Sequence, residues 1–238
     1  MAVRERQTKQ HEELRDAIKA TARALMTEHG TAGLSIRAVA RALDLTPAAL
    51  YYYFPGLDDI ITALIVDGYN ALADALSTHG ELSAGEVLPG TAAHLLHIAD
   101  RYRAWALQHP TDFQLLFGNP IPGYHAPRAV TVPAVVRTFS AVVGACEAAL
   151  QSGALDLPDS EQAVPPTILA HIREQIEREN YPVRPQALYL GTSLVAAMHG
   201  CVMLELMQHL QPTVGDPDAF FREQMRGWLR SVGGLPAP

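Results

Sequence analysis

LTPAALYYYFPGL, residues 45–57, sets three consecutive tyrosines and a phenylalanine between a Thr-Pro pair and a Pro-Gly break. Thr46 and Pro47 read as the N-cap and first residue of a helix, because a threonine hydroxyl satisfies an orphan amide and proline at the first turn sacrifices no hydrogen bond. At about 100° per residue, turning Leu50 inward also turns Phe54 inward, since it lies one turn later on nearly the same face. Ala48 and Tyr52 then point directly away. Pro47 and Tyr51 flank the outward face on one side, and Ala49 and Tyr53 on the other, with Tyr53 nearest the core edge. Two roles stand open for the outward rings: contact with a partner, or packing against the next helix.

The residues before this stretch give it a context. Ser35 is placed to N-cap a short helix running to Leu43, with Ile36, Val39, Ala40 and Leu43 on one face. Asp44 falls where the turn needs a left-handed backbone, which Asp tolerates better than most residues. Only three residues separate the two helices, so they must cross steeply. From His11 to His29, apolar residues recur at three- and four-residue steps, and Gly30 and Gly33 end that helix. The result has the internal logic of a helix-turn-helix inside a three-helix head.

At these residues the sequence resembles the TetR family of one-component transcriptional regulators. Its signature, Leu-Tyr-x-(His/Tyr)-Phe, stands here as Leu50-Tyr51-Tyr52-Tyr53-Phe54 after Ser35-Ile36-Arg37-Ala38-Val39-Ala40, and the likeness covers roughly residues 11 to 65. The resemblance implies contact with double-stranded DNA by Ser35 and Arg37 on the second helix, and by Thr46, Pro47, Ala48, Tyr51, Tyr52 and Tyr53 on the third. Methyl groups on that face suit thymine methyls, and phenol hydroxyls suit phosphates or base edges. One departure stands out: where the family usually places a phosphate-gripping lysine, this chain has Leu57, followed by Asp58 and Asp59.

Charge is distributed unevenly. The whole chain of 238 residues carries a net −7, yet residues 1–57 hold eight Lys/Arg against six Asp/Glu, and the remainder ten against nineteen. Only the front end tolerates phosphates. Arg4, Arg6 and Lys9 read as a short basic arm ahead of the first helix, open to a DNA backbone or to simple solvation. The expected division is a DNA-binding domain over 1–56 and a larger ligand-binding and dimerisation domain over 57–238.

That larger part reads as helical throughout, with runs at 57–76, 89–108, 111–117, 132–151, 166–180, 185–210 and 218–232, and no alternating strand pattern. The fold class is all-α. Two proline-rich connections, 118–131 and 154–166, are long enough to be functional or mobile. The two cysteines, Cys146 and Cys201, sit in apolar runs without ligand spacing, which suggests neither a disulfide framework nor a zinc site and fits a reducing cytoplasm. No stretch is read as a membrane span.

In this part the family likeness implies a dimer interface and a small-molecule effector pocket. Met198-His199-Gly200 resembles the subset whose late helix carries Trp-His-Gly, with Met198 in place of the tryptophan. Candidate interface residues are Leu194, Met198, Val202 and Glu205 on one apolar stripe, and Phe221, Met225 and Trp228 on a second; either stripe also reads as ordinary core. Candidate ligand-lining residues are Tyr102, Trp105, Phe113, Phe117 and Tyr124 with Arg137 and Cys146, and the rings equally suit structural packing. His94 and His97 at i, i+3 lack a third ligand, so no metal is expected. The sequence shows no nucleophile elbow, zincin motif or phosphate loop, so no enzyme and no cofactor are expected. A homodimeric repressor binding a palindromic operator is the favoured reading; a helical ligand-binding protein without specific DNA binding is its rival.

Overall fold

The computed structural model describes residues 2–77, 90–156 and 164–235, and among them every regular element is helical. In chain order these are α1 (Ala2–His29), a 3-10 turn (Thr31–Gly33), α2 (Ile36–Ala42), α3 (Pro47–Tyr51), α4 (Leu57–Leu76), α5 (Ala92–Gln108), α6 (Pro110–Phe117), α7 (Arg128–Gln151), α8 (Pro166–Glu179), α9 (Pro185–Leu206), α10 (Gln211–Val214) and α11 (Pro217–Ser231). The main departure from expectation is at the front. The basic arm is not an arm but the opening turns of α1, because residues 2–29 contain neither glycine nor proline and are rich in good helix formers. Part of the second proline-rich connection and the expected helix start at Pro89 lie outside the described residues.

The chain divides into two compact units, Met1–Ala71 with His109–Val135, and Leu72–Gln108 with Val136–Pro238. A boundary between 56 and 57 therefore cuts through the first unit. The physical reason is α4, whose Ile60, Ile61, Leu64 and Ile65 are buried in the same core as Ile18, Val39, Leu50 and Phe54. Without those side chains the three-helix head would leave its apolar floor in water. Segment 109–135 joins the same unit through α6. Asp112 accepts a hydrogen bond from Arg23 Nε at 2.7 Å, the hydroxyls of Thr27 and Thr111 lie 2.7 Å apart, and Phe117 meets Tyr69 edge to face. The connection after α6 is pinned as well: Tyr124 Oη pairs with Thr62 Oγ1 at 2.9 Å, and Ile121 packs on the head core.

In the second unit, α5, α9 and α11 share a core that includes Leu95, Ile98, Leu194, Met198, Val202, Phe221 and Met225. One ion cluster ties the three helices. Arg103 donates to both carboxylate oxygens of Glu205, at 2.7 and 2.6 Å, and to Asp218 at 2.6 Å, with the Phe221 ring 5.6 Å from its guanidinium carbon. Glu205 is only 8% exposed, so its charge depends on that fork. At Gly191, α9 comes so near α7 that an added Cβ would stand 2.7 Å from Val143 Cγ2 and 3.1 Å from its Cα. Two helices, Arg128–Gln151 and Pro185–Leu206, are long and apolar enough to cross a membrane by length and composition, contrary to the sequence reading. Each also supplies core side chains, Val142 and Cys146 on one and Leu194 and Met198 on the other, and a helix with that duty passes the same test.

Two histidines of this unit are held below their ordinary pKa of 6.5, His94 by burial and then by nearby His97, His199 by burial. His94 Nδ1 is buried without a hydrogen-bond partner, and His199 Nδ1 lies 3.0 Å from the Tyr102 hydroxyl. Burial thus favours the neutral rings. For a depressed group, the stabilisation is complete above the unfolded value and lost as pH falls through the folded one. The thermal midpoint should therefore fall between pH 7 and pH 5, and fall less in His94→Gln; an unchanged slope in that variant would contradict the assignment. Glu205→Ala should lower the unfolding free energy by about 3 kcal/mol, read by urea titration, since it removes the two-oxygen partner of the Arg103 fork and leaves that largely buried charge with only the part-exposed Asp218. Asp44 adopts φ 53°, so Asp44→Gly should add about 0.5–1 kcal/mol in the same titration.

Candidate nucleic-acid interface

The turn between α2 and α3 is built by local chemistry. Ser35 Oγ accepts from the Ala38 amide at 3.1 Å to cap α2, and Thr46 Oγ1 accepts from the Ala49 amide at 3.2 Å to cap α3. Between them the chain reverses at Asp44, and the Leu45 amide donates back to the Ala40 carbonyl at 2.9 Å. Ala40, 1% exposed, is small enough to let the helices meet. Leu50 at 0% and Phe54 at 1% exposure fix the rotation of α3.

That rotation sets the outward face. Tyr51 is 53% and Tyr52 75% exposed, and Thr46, Pro47 and Ala48 are exposed beside them. Ser35 and Arg37 lie exposed at the start of α2. The seven together offer aliphatic surface, two phenols that both donate and accept, and one guanidinium. Tyr53 differs, being half-buried. Its ring stacks on His11 of α1, with centroids 4.7 Å apart and planes inclined at 28°. Arg15, one turn along α1, donates to the Tyr53 carbonyl at 2.7 Å and lies over the Phe54 ring, its guanidinium carbon 4.2 Å from the centroid. The sequence reading missed His11 and Arg15. They flank the buried stripe of α1, and only the rotation of α1 against α3 reveals them. Leu57 is half-buried against the head core, with Asp58 and Asp59 exposed in the first turn of α4.

The residues nominated for a ligand fall in both units. Phe113, Phe117 and Tyr124 belong to the first unit, whereas Tyr102, Trp105, Arg137 and Cys146 belong to the second. Phe113 is fully buried and meets Phe117 at 5.0 Å, while Tyr124 is tied to Thr62. Arg137 is exposed and pairs with Asp74. Cys146 is fully buried, which pushes its thiol pKa up to about 12. Tyr102, paired with His199, and Trp105 are buried side chains of α5.

The interface candidates also need correction. Leu194, Met198, Val202, Phe221 and Met225 are each at most 1% exposed within a single chain, and Glu205 is held by Arg103. They are the core between α9 and α11, because a stripe that fits a second copy fits a neighbouring helix equally well. Trp228 is half-buried and donates from Nε1 to Ser193 Oγ at 3.0 Å.

Comparison with known proteins agrees with this geometry. Residues 18–64 match the family model "Bacterial regulatory proteins, tetR family", and residues 95–227 match "Tetracyclin repressor-like, C-terminal domain". The HTH-type transcriptional regulator Rv1816 of Mycobacterium tuberculosis is 31% identical over 217 residues, covering 90% of each chain. Among solved structures, the regulatory protein SCO4313 is 28% identical with a TM-score of 0.72, over 94% of this chain and 98% of that one. A protein of unknown function from Rhodococcus sp. RHA1 shares the fold at 21% identity and a TM-score of 0.69, over 92% and 95%. The chain belongs to the TetR family, and it is a DNA-binding transcriptional regulator rather than an enzyme.

Proposed function

We propose that this regulator acts in the cytoplasm as a homodimeric repressor that grips a palindromic operator and releases it when a small, partly hydrophobic effector binds the larger unit. The observation that carries the reading is the outward ridge on α3. With Leu50 and Phe54 sealed inside, Ala48, Tyr51 and Tyr52 face solvent at the end of a capped helix, beside Arg37. That surface is narrow enough for a major groove. Two heads about 34 to 36 Å apart, one DNA turn, would read successive grooves of a two-fold operator.

Dimerisation falls to the face of α9 that the described residues leave uncovered. Thr192, Ala196, Gly200 and Leu204 are exposed at four-residue steps, and a Cβ added at Gly200 would meet nothing within 4 Å. Small residues at that spacing let two helices cross closely about a two-fold axis. Signal transfer falls to α4, a single helix from Leu57 to Leu76 whose first half is buried in the head. An effector can release DNA only by as much as it prefers the non-binding conformation, about 1 to 3 kcal/mol in typical allosteric systems.

With Leu57 where a lysine is usual, phosphate attraction rests on fewer cations, Arg37 and Arg41 of α2 foremost. Tyr52→Ala should weaken binding to a duplex selected by the wild-type protein about tenfold, as read by fluorescence anisotropy. Its dimer mass and melting midpoint should match wild type. Equal affinity in the variant would remove the ridge from the interface, and a collapsed fold would contradict its exposure.

A further inference from the structure

Among the described residues, His11 is the ring from outside the α3 segment that touches Tyr52 and Tyr53. Its imidazole stacks on Tyr53 at 4.7 Å and meets Tyr52 edge to face, at 5.6 Å with planes inclined at 84°. Tyr52 and Tyr53 close the triangle, edge to face at 5.1 Å and 85°. Each pair sits in the separation and orientation that the aromatic quadrupole favours. Tyr52 keeps 75% of its surface in water even so, so the contacts hold its inner edge and leave its outer edge free. A phenol that exposed would otherwise sample several rotamers, and ordering it on a duplex would cost entropy.

We propose that His11 is a positioning residue for DNA recognition: its ring holds Tyr52 through Tyr53 and directly, so that the Tyr52 hydroxyl leaves the head in one preset direction. The inference rests on reading the tyrosine ridge as the duplex-contacting surface. Arg15 divides the work with it. One turn away on the same helix, Arg15 fixes the backbone at Tyr53 and the ring of Phe54, whereas His11 fixes the rings that face outward. Helix α1 is therefore no passive support, and its rotation sets the aim of α3.

The test uses the full chain and a duplex that the wild-type protein selects from a randomised pool. His11→Ala should weaken binding about three- to tenfold, the worth of one or two aromatic pairs, with its melting midpoint within about 2 °C of wild type. His11→Phe should bind within about twofold of wild type, since any aromatic ring can stack there. In a Tyr52→Ala background, adding His11→Ala should cost little more, because the two act through one contact. Should His11→Ala melt early, His11→Phe and His11→Leu make the same comparison with the site filled, and equal affinity of those two would overturn the proposal. Wild-type affinity in His11→Ala, or losses that multiply in the double variant, would overturn it as well while leaving the ridge reading intact. A wild-type protein that enriches no duplex would overturn the ridge reading and the inference together.

Discussion

The burial of Leu50 is the constraint on which the DNA-binding reading depends. A helix of five residues has no stability of its own, since forming its first turn fixes three residues for one hydrogen bond. What holds α3 is a capping threonine at one end and a leucine and a phenylalanine sealed into the head, at 0% and 1% exposure. Once that leucine is anchored, the remaining positions have no freedom: the two rings adjoining it in sequence, Tyr51 and Tyr52, must face out. A hydrophobic contact thereby sets the position of polar groups that never touch it.

The same core explains why the head is larger than three helices. Removing Ile60, Ile61, Leu64 and Ile65 of α4 would expose the underside of α1 and α3, so the reading element and the helix that follows it form one cooperative body. The ties of α6 to α1 and α4 add to it through the Arg23–Asp112 pair and the aromatic contact of Phe117 with Tyr69. In the larger unit the Arg103, Glu205 and Asp218 cluster plays a comparable part for α5, α9 and α11.

The front of the chain was legible because its signals are local. Caps at Ser35 and Thr46, a proline at the first helical position, a left-handed Asp44 and a three-residue turn are each decided within a few residues, and the wheel then orients the tyrosines. What the sequence left hidden depends on which helix meets which. Nothing near His11 or Arg15 announces the end of α3 as their partner. The apolar stripes of α9 and α11 have the same period whether they face a second copy or each other, and the structure shows them facing each other. The five nominated ring residues are neighbours in sequence around α5 and α6, yet a unit boundary between Gln108 and His109 divides them, two in one unit and three in the other. Apolar content likewise misjudged α7 and α9, whose length and composition satisfy a membrane criterion while their core faces serve a folded unit.

The central claim is that Tyr51 and Tyr52 stand in solvent in the free protein and against a duplex in the bound one. Mild tyrosine nitration, mapped by mass spectrometry with and without a wild-type-selected duplex, measures this directly. The account predicts ready modification of both residues in the free protein, and of Tyr52 above all, with fully buried Tyr102 untouched and both outward rings protected once DNA is bound. Resistance of Tyr51 and Tyr52 in the free protein, or undiminished nitration in the complex, would contradict it.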